Sequence, residues 1–417
     1  MLNKYTKRVS LGYKKDVLTG KTEQVRTSVT VWAENNDEAM MLIEEERERL
    51  RKQLFSNGSV IVNTMDELIE YYYKIKDELK PTTISNDFNI WESLRQYFGS
   101  QKLSEVSHIK LLEFLEAKEN DGWGKSSIHN AYKTMNKYLN FAVDQEFIEK
   151  NPLGRLKFNS CSKQPKPKKH DGLETVIENF YTRIFKFGNT PTAVKFKVML
   201  LLCADGCLRR TELMGLTVDK INLVDGYMEV ERNLYQLTRK EAIKIKVERK
   251  GYTTTKTESS TRKLPLSAVT VQYLELYLSQ CEEYLAKNRL TNKNKYLFYS
   301  TRNIPNRKRN GERLKDAPLV DVKVSDMSML NSSLRRYCIA FGYKPFTSHK
   351  IRKWSYTERL NLDVQIEYAD YVLGHSMGKS DSVYVLSNLY RGAKKQHFKW
   401  EDYLNSVISD DLYISHE

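Results

Sequence analysis

The apolar run Val198-Met199-Leu200-Leu201-Leu202-Cys203-Ala204 leads, after a short polar break, into Leu208-Arg209-Arg210-Thr211-Glu212-Leu213. The run reads as a buried helix, and the break puts the two arginines where that helix meets a turn. An arginine with a glutamate three residues on is also an ordinary helical ion pair. Its meaning therefore depends on the rest of the chain. Thr255-Lys256-Thr257-Glu258-Ser259-Ser260-Thr261-Arg262-Lys263-Leu264-Pro265-Leu266 comes next, a lysine in a polar turn before a strand-like run. His349-Lys350-Ile351-Arg352 places a histidine and an arginine on one face of a helix. Leu373-Gly374-His375-Ser376 comes after it, and Tyr384 lies nine residues beyond that histidine.

Composition narrows the class. The chain has 417 residues, enough for two or three domains. Lys plus Arg number 68 against 53 Asp plus Glu, a formal charge of +15 that suits a polyanionic partner. The longest purely apolar stretch, Val198 to Ala204, is far short of the roughly 20 residues of a spanning helix. The N-terminus lacks the apolar core of a signal peptide. Five cysteines without framework spacing read as reduced thiols, so a cytoplasmic protein is expected. No Cys/His cluster has zinc spacing, so neither a metal nor a cofactor is expected.

Three segments and a hinge emerge. In residues 1–60, Arg8–Tyr13 and Arg26–Trp32 alternate as strands around a turn, and Asn35 or Asn36 caps a charged helix from about Asp37 to Leu54. Residues 64–158 are helical. Thr64-Met65-Asp66-Glu67 is a capping box, and further helices are expected near Thr83–Phe98, Ser107–Lys118 and from Ser127. In the last of these Ile128, Tyr132, Met135, Leu139 and Ala142 form one core stripe. Lys125, Lys133 and Lys137 lie off it, facing either phosphate or solvent. Residues 159–170 read as an extended basic tether carrying Lys163, Lys166, Lys168 and Lys169, a DNA contact or a mere spacer. Residues 171–417 mix helices with strands near Tyr227–Val230, Ile243–Val247 and Arg262–Leu266. No strand–helix series repeats, so the segment is α+β and not doubly wound. Arg302 to Lys315 reads as a basic loop that touches phosphate or is a plain exposed insertion.

Taken together and in order, these patterns resemble the tyrosine recombinases of the phage and conjugative-transposon integrase type. The resemblance spans roughly residues 64–400 and is tightest from 200 to 390. It implies a small sheet-plus-helix domain for arm-type DNA sites, an all-α core-binding (SAM-like) domain and a mixed α+β catalytic domain. It assigns catalysis to Arg209, Lys256, His349, Arg352, His375 and the nucleophile Tyr384, with Glu212 orienting Arg209. Lys250 and Lys263 are second choices for the lysine, and Tyr390 for the tyrosine. One departure stands out: the family places glycine two residues before the motif's arginine, where this chain has Cys207, with Gly206 one place earlier.

The chemistry agrees with the residue types. Charge builds on the non-bridging oxygens of a phosphodiester under attack, and two guanidiniums can clamp them. A lysine can protonate the leaving 5′ oxygen. A tyrosine hydroxyl attacks to form a 3′-phosphotyrosyl ester, which keeps the bond energy for rejoining. Histidines can hydrogen-bond the phosphate or help move the tyrosine proton. The implied partners are double-stranded DNA at core and arm attachment sites, further copies of the chain assembling as a tetramer on DNA, an excisionase and a host DNA-bending protein. The tail after Tyr384 (Lys394, Lys395, His397, Phe398, Trp400, Tyr403, Leu404) fits an amphipathic helix that docks on a neighbour or packs in cis. Two rivals remain: an inactive DNA-binding regulator on the same scaffold, and a type IB topoisomerase.

Overall fold

The computed structural model describes residues 3–15, 22–55, 62–76, 79–153, 172–244, 247–254, 261–301, 304–305, 317–375 and 383–409; the side chains of 12–15, 22–23, 51–55, 244 and 383–385 lie outside that description. Two units divide it, Met1–Lys166 and Pro167–Glu417.

In the first unit, β1 (Asn3–Lys15) and β2 (Thr22–Ala33) pair antiparallel, with Lys7 opposite Val29 and Arg8 opposite Ser28. The register sorts the side chains by face. Val9, Leu11 and Val29 are buried with Ile43 of α1 (Asn36–Phe55). Lys4, Thr6, Arg8, Arg26, Ser28, Thr30 and Trp32 are on the other face, open to solvent in whole or in part. Asn35 accepts the Glu38 N–H at 2.9 Å and so caps α1.

A second core is built by α2 (Met65–Ile75), α3 (Pro81–Phe98), α4 (His108–Asn120) and α5 (Lys125–Asp144). The capping box at Thr64 and Glu67 is formed in both directions. Every member of the α5 stripe from Ile128 to Ala142 is buried. Tyr73 and Tyr138 share a hydroxyl hydrogen bond at 2.7 Å inside this bundle.

The second unit is organised around α7 (Pro191–Asp205), which follows α6 (Leu173–Phe185) and is apolar nearly all round. A helix of that composition must be covered on every side. The short α8 (Arg210–Gly215) leads to β3 (Ile221–Asn222), β4 (Tyr227–Val230) and β5 (Arg232–Gln236). After α9 (Arg239–Lys244), β6 (Lys250–Thr254) pairs antiparallel with β5, and β7 (Arg262–Pro265) completes an antiparallel sheet in the order β3-β4-β7. The long α10 (Ala268–Lys287) precedes four two-residue strands: β8 (Leu290–Thr291), β9 (Tyr299–Ser300), β10 (Val320–Asp321) and β11 (Lys323–Val324). Then come α11 (Met329–Ala340), α12 (Ser348–Asn361), α13 (Ile366–Leu373) and α14 (Val383–Ser409). The unit is α+β with small sheets.

Two readings of the sequence change here. The strand expected over Ile243–Val247 is not formed where the chain is described, since residues through Lys244 belong to α9. The reason is local: Thr238 and Glu241 make a reciprocal capping box, with the Glu241 N–H on the Thr238 hydroxyl at 3.2 Å and the Thr238 N–H on the Glu241 carboxylate at 2.6 Å. That nucleus overrides the alternating Ile-Lys pattern. The tail, open between two fates in the sequence, packs in cis as α14, with Trp400 and Leu404 wholly buried in their own unit's core. Among the described residues no helix is long and apolar enough to cross a membrane.

Candidate active site

Two helix ends meet at the site. The first is the C-terminus of α7, where Gly206, Cys207 and Leu208 turn the chain so that Arg209 becomes the N-cap of α8. Cys207 takes φ +45°, the left-handed region that glycine enters without a Cβ penalty. The second is the C-terminus of α13, closed by Gly374 at φ +70°, whose N–H reaches the Asp370 carbonyl at 2.9 Å. A Cβ at Gly374 would lie 2.8 Å from the Arg262 guanidinium carbon. Backbone freedom and space both require glycine there.

Helix C-termini leave carbonyls without intrahelical partners. Three arginines fill them. The Val372, Leu373 and Gly374 carbonyls accept from Arg262 at 3.0 Å, Arg352 at 2.7 Å and Arg209 at 3.5 Å, respectively. On the α7 side, Arg262 reaches the Gly206 carbonyl at 3.4 Å and Arg352 the Cys207 carbonyl. The negative end of each helix dipole favours these cations.

Glu212 is the hub. Its carboxylate, 1% exposed, accepts from Arg209 Nη1 at 2.6 Å and from Arg262 Nη2 at 3.2 Å, with Arg352 Nη1 at 3.9 Å. It also takes the Arg209 backbone N–H at 2.9 Å. Burial alone would push the Glu212 carboxyl up. Arg262, together with the N–H and guanidinium of Arg209, outweighs it and holds the group below the ordinary carboxylate range. Burial, with Arg209 beside it, brings Arg352 down to about 10, so it stays charged at neutral pH. Three guanidiniums thus share one carboxylate, an excess of positive charge suited to a phosphate. The Arg209 side chain is 40% exposed and Arg352 almost closed off, so the former faces solvent and the latter is a fixed wall.

The histidines differ in setting. His375, just past Gly374, is exposed, with Nδ1 3.7 Å from Asp370 Oδ1; that oxygen also accepts the Tyr356 hydroxyl at 2.9 Å. His349 is exposed on the first turn of α12, whereas Arg352, one turn on, is buried.

The family model described as "Phage integrase family" matches residues 174–389, which contain all of these groups. The chain belongs to the phage integrase family. It is a tyrosine recombinase, an enzyme that breaks and rejoins DNA strands. Tyrosine recombinase XerD of Staphylococcus haemolyticus (strain JCSC1435) is 23% identical over 240 residues, covering 55% of this chain and 70% of that protein. Among solved structures, the fold is similar to the Tn1549 transposon integrase in complex with transposon right end DNA, at TM-score 0.55 and 17% identity, covering 78% of this chain and 94% of that one. A second Tn1549 integrase structure, in complex with a circular intermediate DNA, matches at TM-score 0.54 and 18% identity, covering 79% and 95%.

Other candidate residues of this integrase are placed unevenly. Lys256 lies outside the described residues, between the ends of β6 at Thr254 and β7 at Arg262. Its alternates are engaged: Lys250 pairs with Asp326 at 2.8 Å, and Lys263 lies over the Tyr227 ring at 3.3 Å. Tyr384 is in the first turn of α14, its side chain outside the description. Tyr390 is half-buried and raised by burial above the ordinary phenol range. In the first unit Lys125 and Lys133 are exposed, while Lys137 is half-buried, ion-paired to Asp87 and 4.6 Å from the Tyr138 ring centre. Lys163, Lys166, Lys168 and Lys169, and most of the Arg302–Lys315 loop, lie outside the described residues. Sequence reasoning gave no role to Arg262 or Asp370. The arginine stood in view in the run Arg262-Lys263-Leu264-Pro265, but only folding brings it to Glu212.

Proposed function

We propose that this chain is the integrase of a mobile element, a prophage or conjugative transposon. It cuts and rejoins DNA through a 3′-phosphotyrosyl intermediate to integrate the element and, with helper proteins, to excise it. The observation that carries the reading is the pair Arg209 and Arg352 on either side of the buried Glu212, with His375 directly after the glycine whose carbonyl Arg209 reaches. Arg209 and Arg352 clamp the non-bridging oxygens, and Glu212 with Arg262 holds the clamp in register. His349 and His375 hydrogen-bond the phosphate or relay the tyrosine proton. Lys256 protonates the leaving 5′ oxygen, and Tyr384 attacks.

Binding follows the same reading. The outer face of β1 and β2 presents Lys4, Arg8, Arg26 and Trp32 with hydroxyl residues between them, a ribbon suited to an arm-site groove. Lys125 and Lys133 offer phosphate contacts at the core site, and the lysines of 159–170 belong to the tether. The α2–α5 bundle is the core-binding domain. Each protomer takes one half-site and four assemble on the paired DNAs, with an excisionase and a host DNA-bending protein setting direction in the cytoplasm. Relatives solved with transposon right end DNA and with a circular intermediate DNA support the transposon form of the reading.

The test is a nicked suicide substrate bearing the element's end. Wild-type protein should form a covalent adduct whose peptide maps to Tyr384, and Tyr384→Phe should form none. An adduct on another tyrosine, or none at all, defeats the assignment. Equal relaxation of plasmids with and without the attachment site would support the topoisomerase instead.

A further inference from the structure

Behind the catalytic arginines lies a fourth. Arg359, on α12 two turns beyond Arg352, is 2% exposed. Among the described residues no carboxylate side chain lies within ion-pairing distance of it. Its partners are the loose end of α7: Nη1 donates to the Ala204 carbonyl at 3.2 Å and Nη2 to the Asp205 carbonyl at 2.6 Å. Nη1 also meets Ser355 and the Cys207 sulfur, the latter at 3.5 Å. Its guanidinium carbon stands 4.1 Å from the ring centre of Trp400 on α14. Trp400 in turn donates its indole N–H to Asp205 Oδ1 at 2.9 Å, and Asp205 Oδ2 takes the N–H and hydroxyl of Ser267, each at 2.9 Å.

The four carbonyls from Ala204 to Cys207 are therefore divided between two kinds of arginine. Arg359 holds the first two, and Arg262 and Arg352 hold the last two. A shift of the turn at one pair of carbonyls moves the acceptors of the other. The helix that contributes Trp400 begins beside Tyr384.

We propose that Arg359, braced by Trp400 and Asp205, is a positioning residue that fixes the Ala204–Cys207 turn and so the orientation of Arg352 at the scissile phosphate. It acts through that turn and touches no substrate. The same brace ties the helix bearing the nucleophile to the turn bearing the clamp. The inference rests on the reading of Arg352 as clamp and Tyr384 as nucleophile.

Two variants of the full-length protein test it. Arg359→Lys keeps the charge and loses the fork, and Trp400→Phe removes only the indole N–H and part of the ring. With saturating suicide substrate, both should cleave at least about tenfold more slowly than wild type, with DNA affinity within about twofold. The deciding substrate carries a methyl group in place of one non-bridging oxygen at the scissile phosphate. It lacks the charge that Arg352 neutralises, so the variants' deficit relative to wild type should shrink to about threefold or less. A generally loosened protein would be equally slow on both substrates, and that result overturns the proposal. Unchanged cleavage by both variants, or a loss of affinity that accounts for the slower rate, also overturns it. If Arg359→Lys does not fold, Trp400→Phe decides alone. Wild-type protein that makes no adduct defeats the functional reading itself, and this inference with it.

Discussion

Glu212 Oε2 lies 3.2 Å from Nη2 of Arg262, and neither side chain has more than 1% of its surface open to solvent. One carboxylate so placed must stay ionised, because it faces Arg209 and Arg352 as well. Removing the charge from a buried ionic network leaves its partners uncompensated, which costs more than losing a surface pair. Glu212→Gln preserves shape and removes the charge. It should lower unfolding free energy by about 2–4 kcal/mol, read as a lower denaturant midpoint at unchanged slope. Cleavage should fall with it.

Arg209 and Arg352, proposed as the clamp, should separate stability from chemistry. Arg352 is buried and donates to the Cys207 and Leu373 carbonyls. A lysine there leaves at least one carbonyl unsatisfied, which should cost roughly 1–3 kcal/mol. Arg209 is 40% exposed and its geometry to Glu212 is partly replaceable. Arg209→Lys should change stability by less than about 1 kcal/mol. Both substitutions should slow single-turnover cleavage about 10²–10³-fold, the usual effect of removing one donor to developing charge. Thermal melts beside adduct kinetics give the comparison, and equal destabilisation by the two would contradict the buried-wall role of Arg352.

Much of this site is written in the sequence because its residues fall into short local patterns. Arg209 with Glu212 is one helical turn, His349 with Arg352 another, and the glycine of Leu373-Gly374-His375 marks a helix end. The α5 core stripe is legible for the same reason. The parts that were not legible depend on contacts between distant segments. Arg262 looks like a strand residue until the Gly206 and Val372 carbonyls arrive from two helix ends. Arg359 gives no local signal, since a buried arginine paired with carbonyls has the same spacing as an exposed one. Whether α14 packs in cis rests on Trp400 finding Asp205, a contact no periodicity encodes. Cys207 stands where the resemblance expects glycine and takes a positive φ, which carries a conformational cost.

Gly374 has little freedom to change. Alanine would carry a strained left-handed backbone, about 1 kcal/mol, and its Cβ would displace Arg262, which is wedged 2.8 Å away. Arg262 is paired with the buried Glu212 at 3.2 Å, and Glu212 also holds Arg209, so the disturbance passes to the proposed clamp. Gly374→Ala should lower the melting temperature by several degrees and slow cleavage more than tenfold. Normal cleavage by this variant would mean that the α13 terminus does not set the arginine geometry.

Acid should find the core before it finds the site. His397 on α14 is buried, and burial, only partly offset by Asp205 and reinforced by Arg359, pulls its imidazole down from 6.5 to about 4. Its folded value is depressed, so between those two pH values the unfolded chain binds more protons than the folded one. Stability therefore rises with pH across that window and is lost as pH falls. The loss from this residue should be about 2 kcal/mol by pH 5. Glu212, also depressed, contributes stability above its unfolded value of 4.5 that disappears only at lower pH. Wild-type protein should thus lose melting temperature from pH 7 to 5. His397→Gln, which cannot titrate, should lose distinctly less over the same range whatever its starting stability. Parallel pH curves for the two proteins would show that His397 titrates normally and that the brace around Asp205 admits water.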